Sequence, residues 1–464
     1  MESSTHRSLK RVADVVTEYR TSLATARVTS AMTRDQVRSQ LDQELPQVGE
    51  STDVVLDKLV AGATPGLMAS AGPRYFGFVI GGALDAALVA DLVAAGWDQN
   101  AFNEVTSPAS IAFEDLAGTW LKDLLGIPST ASVGFVTGAQ GANTVGLAAG
   151  RWKVLHDRGW DVGIDGLFGA PRVRVVVGEE RHATIDRSLR LLGLGERSVV
   201  VVPVTSDGAM DAEALRATLA SDPDAPTIVS AQAGNVNTGA FDDLPSIGTA
   251  VRELGGWLHV DGAFGLWAGA SPATRHLVDG IELAHSWGCD GHKWLNVPYD
   301  SGYAFCSDPD VHATSMAYTA AYLTGQEAGR QFGGGDFVAE SSRRARGFAT
   351  WAALRSLGRE GVSGLIDRCC SLARRLAEGI DEIPGAEVVN EVVLNQVLVR
   401  VGGDALTRAV ERLIQEEGVC WLGSTVWRGE QLLRVSVSNW ATTEEDIDLS
   451  VGSMARALER ATAS

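Results

Sequence analysis

At 464 residues the chain is too long for one compact core, so two or three domains are expected. A formal charge of −19 and a pI near 4.9 argue against a nucleic-acid or anionic-membrane surface, because phosphate-rich partners need a positive face. Hydrophobic content of 45% with 21% charged residues is that of a soluble globular protein, and no run of about 20 apolar residues offers a spanning helix.

Residues 1 to about 45 are rich in Arg, Thr, Ser and Gln and read as helix with a thin apolar stripe. Such an arm buries little alone and is expected to pack on the body or on a second subunit. The opening MESSTHRSLKRVADVV has no apolar core of a signal peptide. The five cysteines are odd in number and form no CxxC, which suits reduced thiols in the cytoplasm rather than disulfides or zinc.

Residues 60–83 form a glycine-rich aromatic loop containing Pro73-Arg74-Tyr75-Phe76-Gly77-Phe78. Ser107-Pro108 then opens a helix, a cap residue followed by proline in the first turn. Leu116, Trp120 and Leu124 recur along one face, and Gly126 and Pro128 end it. From about 132, short apolar strands alternate with helices: Val133–Val136, Val173–Val177, Val199–Val204, Thr227–Ala231, Trp257–Val260 and Gly302–Cys306. Strands apolar throughout and separated by helices imply a mainly parallel sheet covered on both faces. Ligands of such sheets sit at the strands' carboxyl ends. Thr137-Gly138-Ala139-Gln140-Gly141, Ala233-Gly234-Asn235 and Asp261 all fall there.

Arg343–Leu357 reads as a joining helix, and 362–379 as further helix. Two strand candidates lie in Ala386–Val401, and Gln431–Ser438 alternates as a half-exposed strand does. A final helix is expected from Thr442, with Glu445 completing a capping box and Ile447, Val451, Met454 and Leu458 facing inward. The domains expected are a helical arm (1–70), a large α/β domain (71–345) and a small α+β domain (346–464).

The chemistry centres on His259-Val260-Asp261-Gly262-Ala263 and Asp290-Gly291-His292-Lys293-Trp294. The chain has only five lysines, and none follows Lys293. Arginine cannot form a Schiff base, whereas a buried lysine loses its proton and attacks a carbonyl. A lone lysine in a turn is ordinarily a surface residue, and a lone strand-end aspartate ordinarily caps a helix. Taken together they fit an aldehyde cofactor: Lys293 as anchor, Asp261 beside a pyridine nitrogen, and Ala263 small enough to leave room for the ring. The turn at Ala139 and Gln140 exposes backbone N–H groups at a helix start, an anion site, and GxGxxG is absent. His182 follows a strand and reads as structural or as a residue stacked on a flat cofactor. Asn235 reads equally as a donor to a phenolic oxygen or as a turn stabiliser.

These residues resemble the group II pyridoxal-phosphate-dependent amino-acid decarboxylases, which include the aromatic amino-acid and glutamate decarboxylases. The resemblance runs from about residue 70 onward and is carried by ERHATIDRSLRLLG, AGNVNTGAFDDL, HVDGAFG and GHKWLNVPYDSG. It implies the aspartate-aminotransferase-like fold type I, with a seven-stranded large-domain sheet, pyridoxal 5'-phosphate as cofactor, and a homodimer with active sites at the interface. It also implies Lys293 as the Schiff-base lysine, Asp261 as the partner of the pyridine nitrogen and His182 as the stacking residue. Ala139 and Gln140 would bind phosphate, with help from near His292. The implied reaction is loss of CO2 from an L-amino acid to give an amine.

Two departures stand out. Relatives often carry a loop tyrosine that returns the proton, near the segment spelled here Phe332-Gly333-Gly334-Gly335-Asp336-Phe337. No tyrosine follows Tyr322, so Phe337 is the nearest equivalent, and such a change is linked to aldehyde formation by oxidative deamination. Relatives usually carry threonine where Asn235 stands. For substrate, Arg434 is a candidate carboxylate ligand, and Phe76, Phe78, Phe102 and Trp427 are candidate pocket aromatics. A different carbon–carbon lyase on the same cofactor, or a silent scaffold, are the competing readings.

Overall fold

In the computed structural model, which describes residues 4–41, 44–316 and 332–463, the polar N-terminal arm forms α1 (Ser4–Ser22), α2 (Arg34–Gln40) and α3 (Thr52–Ala63). Polar bonds to the body hold it as much as burial does. Arg20 donates to the Ala83 carbonyl at 2.6 Å, and Val28 N–H donates to the Gly418 carbonyl at 2.8 Å. Next come α4 (Asp85–Trp97) and α5 (Pro108–Leu125). Helix α5 starts as expected, Ser107 capping with Pro108 in the first turn, and ends at Gly126 with φ 76°. Of its expected inward residues, Leu124 is buried and Trp120 packs against the same core, but Leu116 is not inward. Leu116 is 43% exposed, while Ile111, Glu114, Ala117, Leu121 and Leu125 are buried. The buried Glu114 turns inward because Arg343 meets it with two guanidinium bonds of 2.8 and 2.5 Å.

The large sheet is built from β1 (Ser132–Val136), α6 (Ala139–His156), α7 (Val162–Asp165), β2 (Arg174–Gly178), α8 (Ala183–Leu191), β3 (Val199–Val202), α9 (Ala212–Ala220), β4 (Thr227–Gln232), α10 (Leu244–Leu254), β5 (Trp257–Asp261), β6 (Ser286–Asp290) and β7 (Gly302–Cys306). Its seven strands run in the order β1-β7-β6-β5-β4-β2-β3, parallel except for β7. All six expected strands are present within a residue or two. The seventh, β6, is Ser-Trp-Gly-Cys-Asp, which has no apolar run to announce it. It is a central strand because its polar residues find buried partners: Ser286 bonds Trp257 and His259 at 3.0 and 2.9 Å.

Helix α11 (Pro309–Met316) follows β7, and Tyr322 lies outside the described residues. The joining helix and its continuation are one element, α12 (Gly347–Asp381), broken only at Gly358, whose φ of 62° and ψ of −179° no side-chain-bearing residue favours. Its first half packs in the large core and its second half in the small one. Residues 343–346 precede the helix because Arg343 is committed to Glu114 and Arg346 to Asp300.

The C-terminal part adds β8 (Glu387–Val388), β9 (Gln396–Arg400), α13 (Asp404–Glu417), β10 (Gly423–Trp427), β11 (Glu430–Ser436) and α14 (Glu444–Thr462), with a four-stranded antiparallel sheet in the order β10-β11-β9-β8. The expected inward residues of α14 are buried or half-buried. Its cap lies one residue later than expected: Thr443 and Asp446 form the capping box in place of Thr442 and Glu445. Thr442 instead donates its hydroxyl to the Pro73 carbonyl at 2.7 Å. The aromatic loop near 75 belongs to this core. Tyr75 stacks on Trp421 with centroids 4.8 Å apart, and Phe76 is 1% exposed among small-domain residues.

Candidate active site

The carboxyl ends of β1, β2, β4, β5 and β6 open into one cleft of about 300 Å³. Thr137, Gly138, Ala139, Gln140, His182, Asp261, Ala263, His292 and Lys293 line it, residues drawn from four separate strand ends, with Gln232 and Gly234 added from the end of β4. Thr184, Val236, Phe264, Asp290 and Tyr299 also line it and were not singled out in the sequence.

Asp261 ends β5 and is 5% exposed. One carboxylate oxygen accepts from Ala263 N–H at 3.3 Å, and the other has no hydrogen bond to a described residue. Lys293 Nζ lies 3.1 Å from Asp290 Oδ2 and 5.9 Å from the Phe264 ring centroid. Asp290 is the hub of this edge. Its Oδ1 accepts from Ala139 N–H at 2.5 Å and lies 3.4 Å from His292 Nε2. A carboxylate at the start of α6 is stabilised by the helix's unpaired N–H groups.

His292 stacks on Tyr299 with centroids 4.3 Å apart, and its Nδ1 accepts from Ser301 N–H at 3.3 Å, which puts its proton on Nε2. Burial holds His292 and His182 below the ordinary histidine range, opposed by nearby carboxylates and reinforced by Lys293. Burial, with the Asp290 charge adding to it, pushes the Tyr299 phenol up to about 12, so it stays protonated at neutral pH.

Glycine is required at two points of the rim. A Cβ on Gly138 would come within 2.9 Å of His292 and 3.1 Å of Asp290. Gly234 has φ +93°, and a Cβ there would press on Phe264 and the Gly265 backbone at 3.0–3.1 Å.

Several expected site residues point elsewhere. Asn235 is 1% exposed and does not line the cleft. Its Oδ1 accepts from Asn237 and Thr238 N–H, and its amide donates to Glu180 at 2.9 Å, so it serves its turn rather than a phenolic oxygen. The Gln140 side chain turns to Ser188 at 2.9 Å, leaving only its backbone for an anion. Phe337 is buried 4.8 Å from the His312 ring, outside the cleft, because it anchors the chain against β1. Phe102 packs on Gly335 and does not line the cleft either. Trp427 donates its indole N–H to Glu180 at 2.9 Å, and Phe76 is core. Phe78 is 61% exposed. Arg434 is half-buried beside the cleft without lining it, its side chain has no hydrogen bond or ion pair to a described residue, and its charge is felt at His182.

The donor set fits pyridoxal phosphate. A lysine amine, a carboxylate with an unused oxygen, and a helix start share one cleft, and the rim glycines leave the space that side chains would fill. Ala139 N–H is already committed to Asp290, so Gln140 N–H, a first-turn donor with no carbonyl in its own helix to reach, is the more available anion ligand.

Comparison with known proteins agrees. Residues 35–401 match the pyridoxal-dependent decarboxylase conserved domain. The chain is 27% identical to 4-hydroxyphenylacetaldehyde synthase of Rhodiola rosea, covering 95% of this chain and 92% of that one. It is 30% identical to L-2,4-diaminobutyrate decarboxylase of Acinetobacter baumannii over 66% of this chain and 61% of that one. Among solved structures, Oryza sativa TDC with PLP and tryptamine has the same fold, with a TM-score of 0.92 at 23% identity, covering 98% of both chains. With its α/β fold type I and its cleft of this composition, the chain belongs to the pyridoxal-dependent decarboxylase family and is a pyridoxal-phosphate-dependent amino-acid decarboxylase.

Proposed function

We propose that Lys293 Nζ holds the cofactor aldehyde and that Asp261, His182 and the first turn of α6 orient it for decarboxylation of an L-amino acid to its amine. The bound cofactor supplies a sink for the electron pair left on Cα when CO2 departs. Asp261, with the oxygen that Ala263 leaves unused, holds a proton at the pyridine nitrogen. Ala263 is the small residue that makes room for the ring, and His182 is the stacking residue. Gln140 N–H and the start of α6 bind the phosphate, with Ala139 and His292 closing that end. Asp290 Oδ2, 3.1 Å from Lys293 Nζ, positions that amine, and Arg434, a half-buried cation without a carboxylate partner among the described residues, binds the substrate carboxylate. The observation that carries this reading is the convergence of Lys293, Asp261 and His182 on one cleft from three strand ends.

The amine is favoured over the aldehyde because Phe337, the residue that suggested oxidative deamination, lies away from the cleft. The working protein is a homodimer in this reading. Helix α4 exposes Val89, Leu92, Val93 and Trp97 by 40–60%, an apolar face larger than single scattered residues. A cytoplasmic location is supported by five cysteines that are all free and buried. The working layout is the arm (1–70), the cofactor domain (71–345) and the small domain (346–464). No helix among the described residues is long and apolar enough to cross a membrane.

The purified protein is to be reconstituted with pyridoxal phosphate and given a panel of amino acids, with CO2, amine, aldehyde and peroxide measured. Amine equal to CO2 is expected, and peroxide with aldehyde in that ratio would replace this product with the alternative. Lys293→Ala is expected to lose the visible band of the bound cofactor and roughly 10³-fold or more of kcat/KM. A Lys293→Ala protein that keeps both would end the assignment.

A further inference from the structure

Behind the cleft a line of buried polar side chains runs from His182 to Ser286 of β6. His182 Nδ1 lies 2.9 Å from Thr184 Oγ1 and 3.3 Å from Thr184 N. Asn143 Nδ2 lies 3.1 Å from the same hydroxyl, and Asn143 Oδ1 lies 3.0 Å from His259 Nε2. His259 Nδ1 lies 2.9 Å from Ser286 Oγ, which also lies 3.0 Å from the Trp257 indole nitrogen. Asn143, His259 and Ser286 are each 0% exposed.

The direction of the bonds in this line follows from its His182 end. The backbone N–H of Thr184 can only donate, so His182 Nδ1 is an acceptor without a proton. The Thr184 hydroxyl must then donate to Nδ1 as well, and so accepts from Asn143 Nδ2. That turns Asn143 Oδ1 toward His259, whose Nε2 carries the proton while its Nδ1 accepts from Ser286. At the far end the Trp257 N–H, again a donor only, gives to Ser286 Oγ, whose proton faces His259 Nδ1 at 2.9 Å and the Gly146 carbonyl at 3.4 Å. The Trp257 donation is compatible with the assignment made from the His182 end. Two glycines keep the line open: a Cβ at Gly146 would come within 2.5 Å of His259 Nδ1, and one at Gly288 within 2.5 Å of Asn143 Oδ1.

We propose that Thr184 and Asn143, backed by His259 and Ser286, are positioning residues that lock the proton of His182 on Nε2. His182 is thereby a fixed hydrogen-bond donor at Nε2 and cannot take a second proton at Nδ1 without facing the Thr184 N–H. The charged groups around it are balanced, Asp261 and Asp290 against Lys293 and Arg434, so the ring's proton position is set by this line and not by a single ion pair. The catalytic consequence rests on the reading that His182 is the stacking residue. The tautomer does not.

The test is long-range proton–nitrogen NMR of the full chain with 15N-labelled histidine, cofactor-free and reconstituted, with His182→Gln assigning the signal. Nδ1 without a proton and Nε2 with one are expected in both forms. Thr184→Val, which keeps the shape and removes the hydroxyl, is expected to move the His182 nitrogens toward a mixture of tautomers and to lower kcat on the order of tenfold, with KM little changed. Thr184→Ser is expected to restore both. Asn143→Asp replaces the donor with an acceptor of equal size and is expected to shift the His182 nitrogens in the same sense if Thr184→Val does not fold. A wild-type His182 with its proton on Nδ1, or a Thr184→Val protein with unchanged nitrogens and unchanged kcat, overturns the proposal. Because the spectrum is first read without cofactor, this failure is distinct from a failure of Lys293 to bind it.

Discussion

The interior of the large domain and the outer face of α4 handle the same problem in opposite ways. Inside, buried polar groups meet partners: Glu114 has Arg343, Asp290 has Lys293 and the start of α6, and the neutral His259 has Asn143 and Ser286. On α4 the mismatch is of the other sign, with Val89, Leu92, Val93 and Trp97 exposed and only Ala87 and Ala94 buried. Buried polar groups left alone cost too much to persist, while exposed apolar groups are tolerated until a partner covers them. The interior is therefore finished within one chain, whereas the apolar face of α4 is the one that the homodimer reading assigns to a second subunit.

The sharpest way to break the interior is to leave one of its charges alone. Arg343→Ala strands Glu114 at 3% exposure and is expected to cost about 3–5 kcal/mol, read as a fall in the urea midpoint. A loss below about 1 kcal/mol would mean that the pair is solvated and the contrast with α4 overstated.

Acid attacks the same interior more gently. Burial holds His259 and His312 at about 3, against 6.5 unfolded. The unfolded chain therefore binds protons between these values that the folded chain refuses. Stability is full above pH 6.5 and falls as pH drops toward 3, by about 1.4 kcal/mol per unit for each histidine. Urea titrations at pH 7 and pH 5 are expected to differ by about 2 kcal/mol per histidine, and His312→Gln to remove its share. An unchanged slope in that variant would show that His312 is not held neutral.

The outer face is expected to answer differently. Leu92→Ser is expected to leave the urea midpoint of the monomer nearly unchanged while weakening self-association by about tenfold, measured by sedimentation velocity. Equal sedimentation of variant and wild type would remove α4 from the subunit interface.

Much of the site was legible because its chemistry follows strand ends. Asp261 closes an apolar strand, Ala139 and Gln140 open a helix after one, and Lys293 stands out in a chain with five lysines. What misled were residues whose type fits two tasks. Asn235 suits a ligand as well as a turn, and only its bonds to Glu180 and to the turn N–H groups decide for the turn. Phe337 was tied to catalysis by its neighbourhood in the chain, but packing against His312 draws it into the core. Strand β6 escaped notice because periodicity reports apolar residues, and its serine and aspartate are buried through hydrogen bonds.

The sequence by itself determined the alternation of strand and helix, the family and its cofactor, and the candidate lysine and aspartate proposed to hold it. These depend on local pattern and on the scarcity of one residue type, both properties of the linear chain. Tertiary structure alone decided which polar residues meet. Asn143 reaches Thr184 across 41 positions and His259 across 116, and nothing in their spacing predicts either contact. A hydrogen bond needs donor and acceptor within about 3 Å at a set angle. That precision exists only once the sheet has brought β5, β6, α6 and α8 together.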